Sequence, residues 1–340
     1  MSVEVRVAAD EDLERWNGYV ERSPQGTCCH ELEALKVQAE HANATLHPLI
    51  GFKGQEVVGL CPVFEIRKGP ITTVFSPPPH LRVPYLGPAL LNVDKLKRRK
   101  REKRTERFLE SCLEWIETEL DPRYGHMRTA PSFDDVRAFT WNGYDASPEY
   151  TYAVDLTREE DEILDSFSSD ARRNVRNTDS DAYDISVGGP HEIRQIYEQV
   201  RHRYESQGIS FGVPIEFVLE LASATANGDV RPYTCHVDGE FVGGILALEY
   251  GGRIGRWMGG VRSDADGTPT VDLPTNDLLD WAIVRDGRQR GLEAYDLVGA
   301  DTQRINRYKA KFNPDLETYY SLEYGSWGMK TAASLYDSVK

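Results

Sequence analysis

Cysteine, lysine and long apolar runs are all scarce in this chain of 340 residues. The five cysteines, Cys28, Cys29, Cys61, Cys112 and Cys235, are odd in number and form no Cys-x-x-Cys pair, which excludes a disulfide framework. Cys28-Cys29-His30 lacks further ligands at metal spacing, so buried structural cysteines and no metal are expected. No apolar run approaches the ~18 residues of a membrane span. The opening Met-Ser-Val-Glu-Val-Arg-Val does not read as a signal peptide, so a cytoplasmic protein is expected. The eight histidines fall at no ligand spacing and no Gly-x-Ser-x-Gly elbow occurs, which argues against covalent serine or cysteine catalysis. Gly251-Gly252-Arg253-Ile254-Gly255 with Gly259-Gly260 matches neither a Walker loop nor a dinucleotide fingerprint and reads as a hairpin.

What the chain does have is acid. It carries 55 Asp and Glu against 40 Lys and Arg, a net charge of −15, and only 11 of those bases are lysine. Eight bases and one acid, Glu102, lie in the single run Lys95 to Arg104, which leaves −22 everywhere else. An acidic, lysine-poor surface fits a halophilic protein kept soluble in concentrated salt, or simply an acidic cytoplasmic one. Such a surface repels nucleic acid except at the basic run. That run reads either as a solvated helix extension or as a phosphate-binding stripe, for instance for tRNA.

At roughly 150 residues per domain, the length predicts two domains. Hydrophobic periodicity gives the first half a strand (3–7), helices at 11–21 and 30–42, and strands at 45–52, 56–66 and 71–75. A helix ending near Leu120, with the stripe Phe108, Leu109, Cys112, Leu113, Ile116 and Leu120, and a strand at 124–129 complete it. The second half repeats the order: strand 183–187, helix 191–207 closed by Gly208, and a helix opened by Pro214 and followed by Gly228. Strands 231–237, 240–250 and 253–259, a helix at 275–289 and a strand at 292–298 follow. Phe52-Lys53-Gly54-Gln55-Glu56-Val57-Val58-Gly59 lies over Val237-Asp238-Gly239-Glu240-Phe241-Val242-Gly243, with a glycine at each tight turn. This points to an internal duplication.

The repeated order resembles the acyltransferase fold of the GNAT superfamily, and two copies in one chain resemble the Fem family, which adds amino acids to peptidoglycan precursors. The likeness rests on Gly143-Tyr144 with Tyr150 to Leu156 as a crossover strand, and on Arg172-Arg173-Asn174-Val175-Arg176. Tyr295 to Ala300 and Arg307-Tyr308-Lys309-Ala310-Lys311-Phe312-Asn313 resemble the family's closing strand and Lys-x-x-Phe helix. The resemblance implies an α/β fold of two tandem GNAT-type units, each a mixed, mostly antiparallel sheet flanked by helices. The first would span 1–150, completed by about 317–340, and the second 151–316. It implies an armless N-acyltransferase moving an activated acyl or aminoacyl group onto an amine of an envelope or amino-sugar precursor. The donor would be aminoacyl-tRNA or acetyl-CoA, with no permanently bound cofactor and no protein partner inferred. An ordinary acetyl-CoA N-acetyltransferase and a non-catalytic RNA-binding protein using residues 95–104 are the alternatives. The pyrophosphate loop of CoA-using relatives is missing: residues 261–276 hold Asp264, Asp266 and Asp272, and the first copy lacks the motif too.

By the same resemblance Lys309 faces the acceptor groove and neutralises phosphate or the developing oxyanion. The alternative is a solvated lysine in the last turn of a short helix capped by Asp301, with Lys311 at the surface. Tyr308 reads as packing or a proton donor. Asp296, facing away from Tyr295 and Leu297, reads as a base or orienting group for the amine, or as an ion-paired strand residue. Arg173 and Arg176 read either as a clamp on an anionic acceptor or as the basic end of one helix that begins with Glu159. Tyr204, Trp257 and Asn276 are candidates to line the groove, with core or helix-start roles as the alternative.

Overall fold

Residues 2–225, 229–262, 270–300 and 302–339 are described by the structure, a computed structural model. The chain divides into two compact units, Met1–Glu149 with Thr318–Lys340, and Tyr150–Glu317. The first contains β1 (Glu4–Val7), α1 (Asp10–Leu13), α2 (Trp16–Glu21), α3 (Leu32–His41), β2 (Thr45–Lys53), β3 (Glu56–Lys68) and β4 (Ile71–Ser76). It continues with β5 (Ala89–Leu90), α4 (Arg98–Leu120), β6 (Tyr124–Arg128) and α5 (Arg137–Trp141), and β7 (Asp145–Asp155) carries the chain on. The second unit holds α6 (Glu160–Ser166), α7 (Ser169–Asn177), β8 (Asp184–Val187), α8 (Pro190–Ser206), α9 (Ile215–Ala224) and β9 (Val230–Val237). Then come β10 (Glu240–Tyr250), β11 (Arg253–Val261), α10 (Thr275–Gln289), β12 (Ala294–Asp296) and α11 (Gln303–Lys309). β13 (Asp315–Gly325) and α12 (Trp327–Val339) return to the first unit.

The two sheets repeat one another. In the first, β1, β2, β3 and β4 run antiparallel and β4 then pairs in parallel with β6 across α4. In the second, β8, β9, β10 and β11 run antiparallel and β11 pairs in parallel with β12 across α10. Each parallel strand has an antiparallel neighbour on its far side, β13 beside β6 and β7 beside β12. A helix between neighbouring strands requires the parallel crossover, and tight turns require the hairpins. The Gly54 turn of the first unit and the Asp238-Gly239 turn of the second both take positive φ, as their glycines predicted.

Helix α4 lies on the first sheet through Phe108, which is fully buried. It can do so because Gly51 and Gly59 present no side chain beneath the ring; a Cβ on Gly59 would lie 2.5 Å from it. The stripe from Phe108 to Leu120 packs with Val58, Val63, Val74, Met127 and Phe139. All five cysteines are free and buried. His30 is also fully enclosed. Its Nδ1 accepts from the Thr27 N–H at 3.2 Å, which leaves the Nε2 proton for the Gly87 carbonyl at 3.2 Å. Burial pulls its pKa down from 6.5 to about 4, against the Gly87 bond that favours the cation.

Two expected helices are broken. Residues 11–21 split into α1 and α2, which lets Trp16 bury completely and donate its indole N–H to the His30 carbonyl at 2.8 Å. The single acid-to-base helix from Glu159 to Arg176 is two helices. Phe167 is extended, with its ring edge-on to Trp281 and Phe312, and Ser168 caps α7. The acids of the first turn and the arginines of the last therefore belong to different helices.

Two measurements test this packing. Gly59→Val should lower unfolding free energy by about 1–3 kcal/mol in urea titration, because the ring has nowhere to move. Phe108→Leu in the same chain should recover part of that loss. His30 stays neutral while the unfolded chain protonates, so its contribution is intact above pH 6.5 and is lost as pH falls toward 4. The wild type should lose about 3 kcal/mol more than His30→Gln across that window.

Candidate active site

In the second unit β11 and β12 pair for only three residues, Arg253 to Gly255 against Ala294 to Asp296. β11 then runs on to Val261, while the chain after Asp296 turns away: Leu297 donates to the Tyr152 carbonyl at 2.8 Å and Ala300 to that of Tyr150 at 2.7 Å. The β10–β11 ladder slips between Leu246 and Ala247, so Trp257 is the extra residue of a bulge where the strands part. Beyond the bulge Gly259 and Gly260 take φ of 141° and 144°, a region that favours glycine. Helix α8 fixes both carbonyls, Arg203 donating to Gly259 at 3.0 Å and Gln199 to Gly260 at 2.5 Å. The result is a V between two strands with backbone along its edge, a seat for a planar acyl group.

The turn that ends β12 gathers two of the candidate residues. Val298 and Gly299 adopt positive φ and break the strand, which is why it is shorter than the alternation predicted. Asp296, buried, accepts the Thr151 hydroxyl at 2.6 Å and the Val298 N–H at 2.8 Å, and lies 3.4 Å from the Arg253 guanidinium. Arg253 also binds Glu317 at 2.8 Å. Lys309 is 7% exposed, not solvated, and its ammonium donates to the carbonyls of Val298 at 2.5 Å and Gly299 at 2.7 Å. One ammonium and one carboxylate therefore fasten the same turn.

On the other face of the sheet stands an arrangement that sequence reasoning missed. Asp280 of α10 is fully buried and receives both Arg256 Nη1 contacts, the Tyr295 hydroxyl at 2.5 Å and the Tyr308 hydroxyl at 2.5 Å. Burial first, and the Asp280 charge next, push both phenols well above their usual range. Burial would lower the Arg256 pKa, but the Asp280 carboxylate outweighs it and raises it. Tyr308 is thus a neutral phenol whose proton is committed to Asp280. The signal was a charge at an inward position on each of two elements, Arg256 in step with Ile254 and Asp280 beside Leu279 and Ile283.

The remaining candidates are spread more widely. Asn276 does not cap α10, whose N-cap is Pro274; its Oδ1 faces Arg256 at 3.5 Å. Trp257 packs edge-on to Phe217, and Tyr204 lies against Phe211 with the Arg203 guanidinium over its ring. Arg176 pairs with Asp165 at 2.6 Å, and Arg173 is exposed on α7; neither is brought to the turn after β12. Lys311, expected at the surface, pairs with buried Asp277 at 2.8 Å, where Asn174 also donates at 2.6 Å. Asp264, Asp266, Gly228 and Asp301 lie outside the described residues.

Residues 165–310 match the family described as "Acetyltransferase (GNAT) domain". This stretch is a GNAT-type acyltransferase domain. The GNAT fold extends over the whole chain: it resembles the crystal structure of FemX at 12% identity and TM-score 0.69, over 93% of this chain and 96% of that one. It also resembles the C-terminal domain of a putative lysylphosphatidylglycerol synthetase from Agrobacterium fabrum, at 14% identity and TM-score 0.56 over 96% of both chains. A tandem GNAT protein from the clavulanic acid biosynthesis pathway aligns at 13% identity and TM-score 0.52, over 95% and 99%. No curated protein sequence matches the chain.

The counterpart of the V in the first GNAT-like unit is filled by its own chain. After β4 and a cis Ser76–Pro77 bond, the segment returns so that Leu86 donates to the Arg128 carbonyl at 3.1 Å, just where β6 ends. Leu81, Val83, Leu86 and Ala89 are buried there, and the Gly87 N–H donates to Ser76 Oγ. In the second unit most of the segment that follows β11, residues 263–269, lies outside the described residues.

Removing one partner from the buried cluster should be costly. Arg256→Met leaves the Asp280 charge uncompensated and should destabilise the chain by roughly 3–5 kcal/mol in denaturant titration. Arg256→Met with Asp280→Leu should recover much of that loss.

Proposed function

We propose that this acyltransferase works by direct attack of an acceptor amine on an activated acyl or aminoacyl carbonyl seated where β11 and β12 part. The parting of the strands at the Trp257 bulge carries this reading, because it frees backbone beside a turn that holds an ammonium. The acyl carbonyl would lie along the β11 edge, with N–H groups there and the Lys309 charge stabilising the oxyanion of the tetrahedral intermediate. The neutral amine nitrogen forms the new bond, the donor's oxygen or sulfur leaves with the electron pair, the amine's surplus proton passes to that leaving atom or to water, and no covalent enzyme intermediate is needed. Asp296 and Tyr308 act here as positioning residues, since their polar atoms hold the turn and the Asp280 cluster. Trp257, Tyr204 and Asn276 would border the substrate, and Arg173 would meet an anionic acceptor, with Arg176 held back by Asp165.

The two units serve as the two domains, with the chemistry in the second. The filled counterpart in the first supports that assignment. Chain-long likeness to FemX supports an aminoacyl donor carried on tRNA and an amine of an envelope or amino-sugar precursor as acceptor. The acetyltransferase description of residues 165–310 favours acetyl-CoA as the second reading for the donor.

Titration calorimetry with acetyl-CoA in KCl separates the donors. A dissociation constant of tens of micromolar, about −6 kcal/mol, selects acetyl-CoA. No heat at millimolar ligand, with radiolabel passing from aminoacyl-tRNA to an amine, selects the Fem-like donor. Lys309→Gln retains an N–H for the turn carbonyls but removes the charge. It should lower turnover about 100-fold with donor affinity nearly unchanged, and lower the melting temperature only in part because one N–H remains for the turn. Wild-type turnover in Lys309→Gln, or transfer from neither donor, overturns the mechanism.

A further inference from the structure

Unit one carries a charge arrangement that acyl transfer in the second unit does not use. Lys95, Lys97, Arg98, Arg99, Lys100, Arg101 and Lys103 are all exposed. Arg98 pairs with Glu102 at 2.9 Å, and Arg104, largely buried, pairs with Glu56 at 3.0 Å. None of the other six is ion-paired among the described residues. Elsewhere many arginines sit on carboxylates, as in Arg290 with Glu249 and Asp286, or Arg137 with Asp135. The six therefore form a patch of uncompensated positive charge on a chain whose remainder carries −22.

Its placement works against local stability. The first turn of a helix favours acids, and α1 and α6 open with three each. α4 opens with Arg98-Arg99-Lys100-Arg101, has no acid in its first turn and no side-chain cap. Mutual repulsion and the helix dipole both disfavour this, so helix stability does not account for the run.

Beside it stands an exposed aromatic. Trp141, at the end of α5, is 61% exposed and borders a small cavity of about 70 Å³ with Glu102, Thr105, Leu109 and Arg137. The Arg137 guanidinium lies over the ring at 5.8 Å and is itself held by both Asp135 oxygens. One face of the indole is thus already covered, which suits an interfacial tryptophan better than a slot for a stacked base. A basic cluster flanked by an amphipathic indole is the pattern of contact with an anionic lipid surface. No helix among the described residues is long and apolar enough to cross a membrane, so any such contact is peripheral.

We propose that residues Lys95 to Lys103, with Trp141, dock the first unit on an anionic phospholipid surface. A flat surface meets the patch from one side, and the acidic remainder turns the rest of the molecule away from it. The docking would be salt-sensitive, because charge contacts fade as the screening length falls from about 10 Å at 0.1 M to about 3 Å at 1 M.

The test is co-sedimentation of the full chain with vesicles of phosphatidylglycerol and phosphatidylcholine, against phosphatidylcholine alone, at low and at molar KCl. The wild type should partition onto the anionic vesicles only, and less at molar salt. K97Q/R98Q/R99Q/K100Q should weaken partitioning at least about tenfold. Trp141→Ala should weaken it several-fold, and neither variant should lower the melting temperature, because every replaced side chain is exposed and the four bases disfavour the start of α4. Equal binding to neutral vesicles, or wild-type partitioning in either variant, overturns the proposal. So does tRNA binding that needs the four bases while vesicles are not bound, which would assign the patch to nucleic acid.

Discussion

The second unit depends on a sheet that comes apart without coming loose. β11 and β12 share three residue pairs and then diverge, which gives up ladder hydrogen bonds in the middle of a core. The Asp280 carboxylate replaces them. It receives a guanidinium from β11, a phenol from β12 and a second phenol from α11, and so ties three elements together beside the last ladder pairs. A buried ion pair is a poor source of net stability, because desolvation offsets most of the attraction. Its value is directional. The donors arrive from three elements, so the one carboxylate fixes where each stands relative to the others.

The opposite face repeats the logic with different groups. Thr151, Val298 and Gly299 are interlocked through Asp296, and Lys309 covers the two carbonyls that the turn exposes inward. In the first unit, with the same strand order, the segment from Leu81 to Leu90 is buried where β6 ends and is held there by the Leu86 and Gly87 N–H groups. Duplication thus supplied two frames of one topology. In one of them side-chain hydrogen bonds hold the strands apart, and in the other apolar chain has closed the gap.

The sequence revealed the frame better than the site. Period-two and period-3.6 patterns located the strands and the long α4 because burial of one face is what those patterns record. The short elements β5 and α5 escaped, and the 13-residue α12 was not anticipated either. The break at Phe167–Ser168 was also invisible, since Glu159 to Arg176 reads as one well-ordered charge gradient, and only the ring contacts of Phe167 show why it stops. Lys309 was picked out by its motif, yet its burial was not legible, because it depends on two carbonyls set by the positive φ of Val298 and Gly299. Asp280 and Arg256 were passed over for a related reason. Each is a single charge in an apolar stripe, and nothing in one element announces that the other holds its partner.

The lysine shortage sharpens the reading of that turn. Between residues 104 and 308 the chain contains no lysine, so the second unit has only Lys309 and Lys311. Many of its other cations are arginines paired with carboxylates, as Arg256 with Asp280 and Arg290 with Glu249, where one guanidinium nitrogen meets both oxygens. A tight turn offers no such target. Its carbonyls of Val298 and Gly299 point at one spot from adjacent residues, and a compact ammonium with three tetrahedral donors meets them where a guanidinium is too wide. A chain that uses arginine almost everywhere has lysine here because the geometry demands a point charge. That same point charge, fixed by the fold beside the parted strands, is the one the proposed mechanism gives to the developing oxyanion.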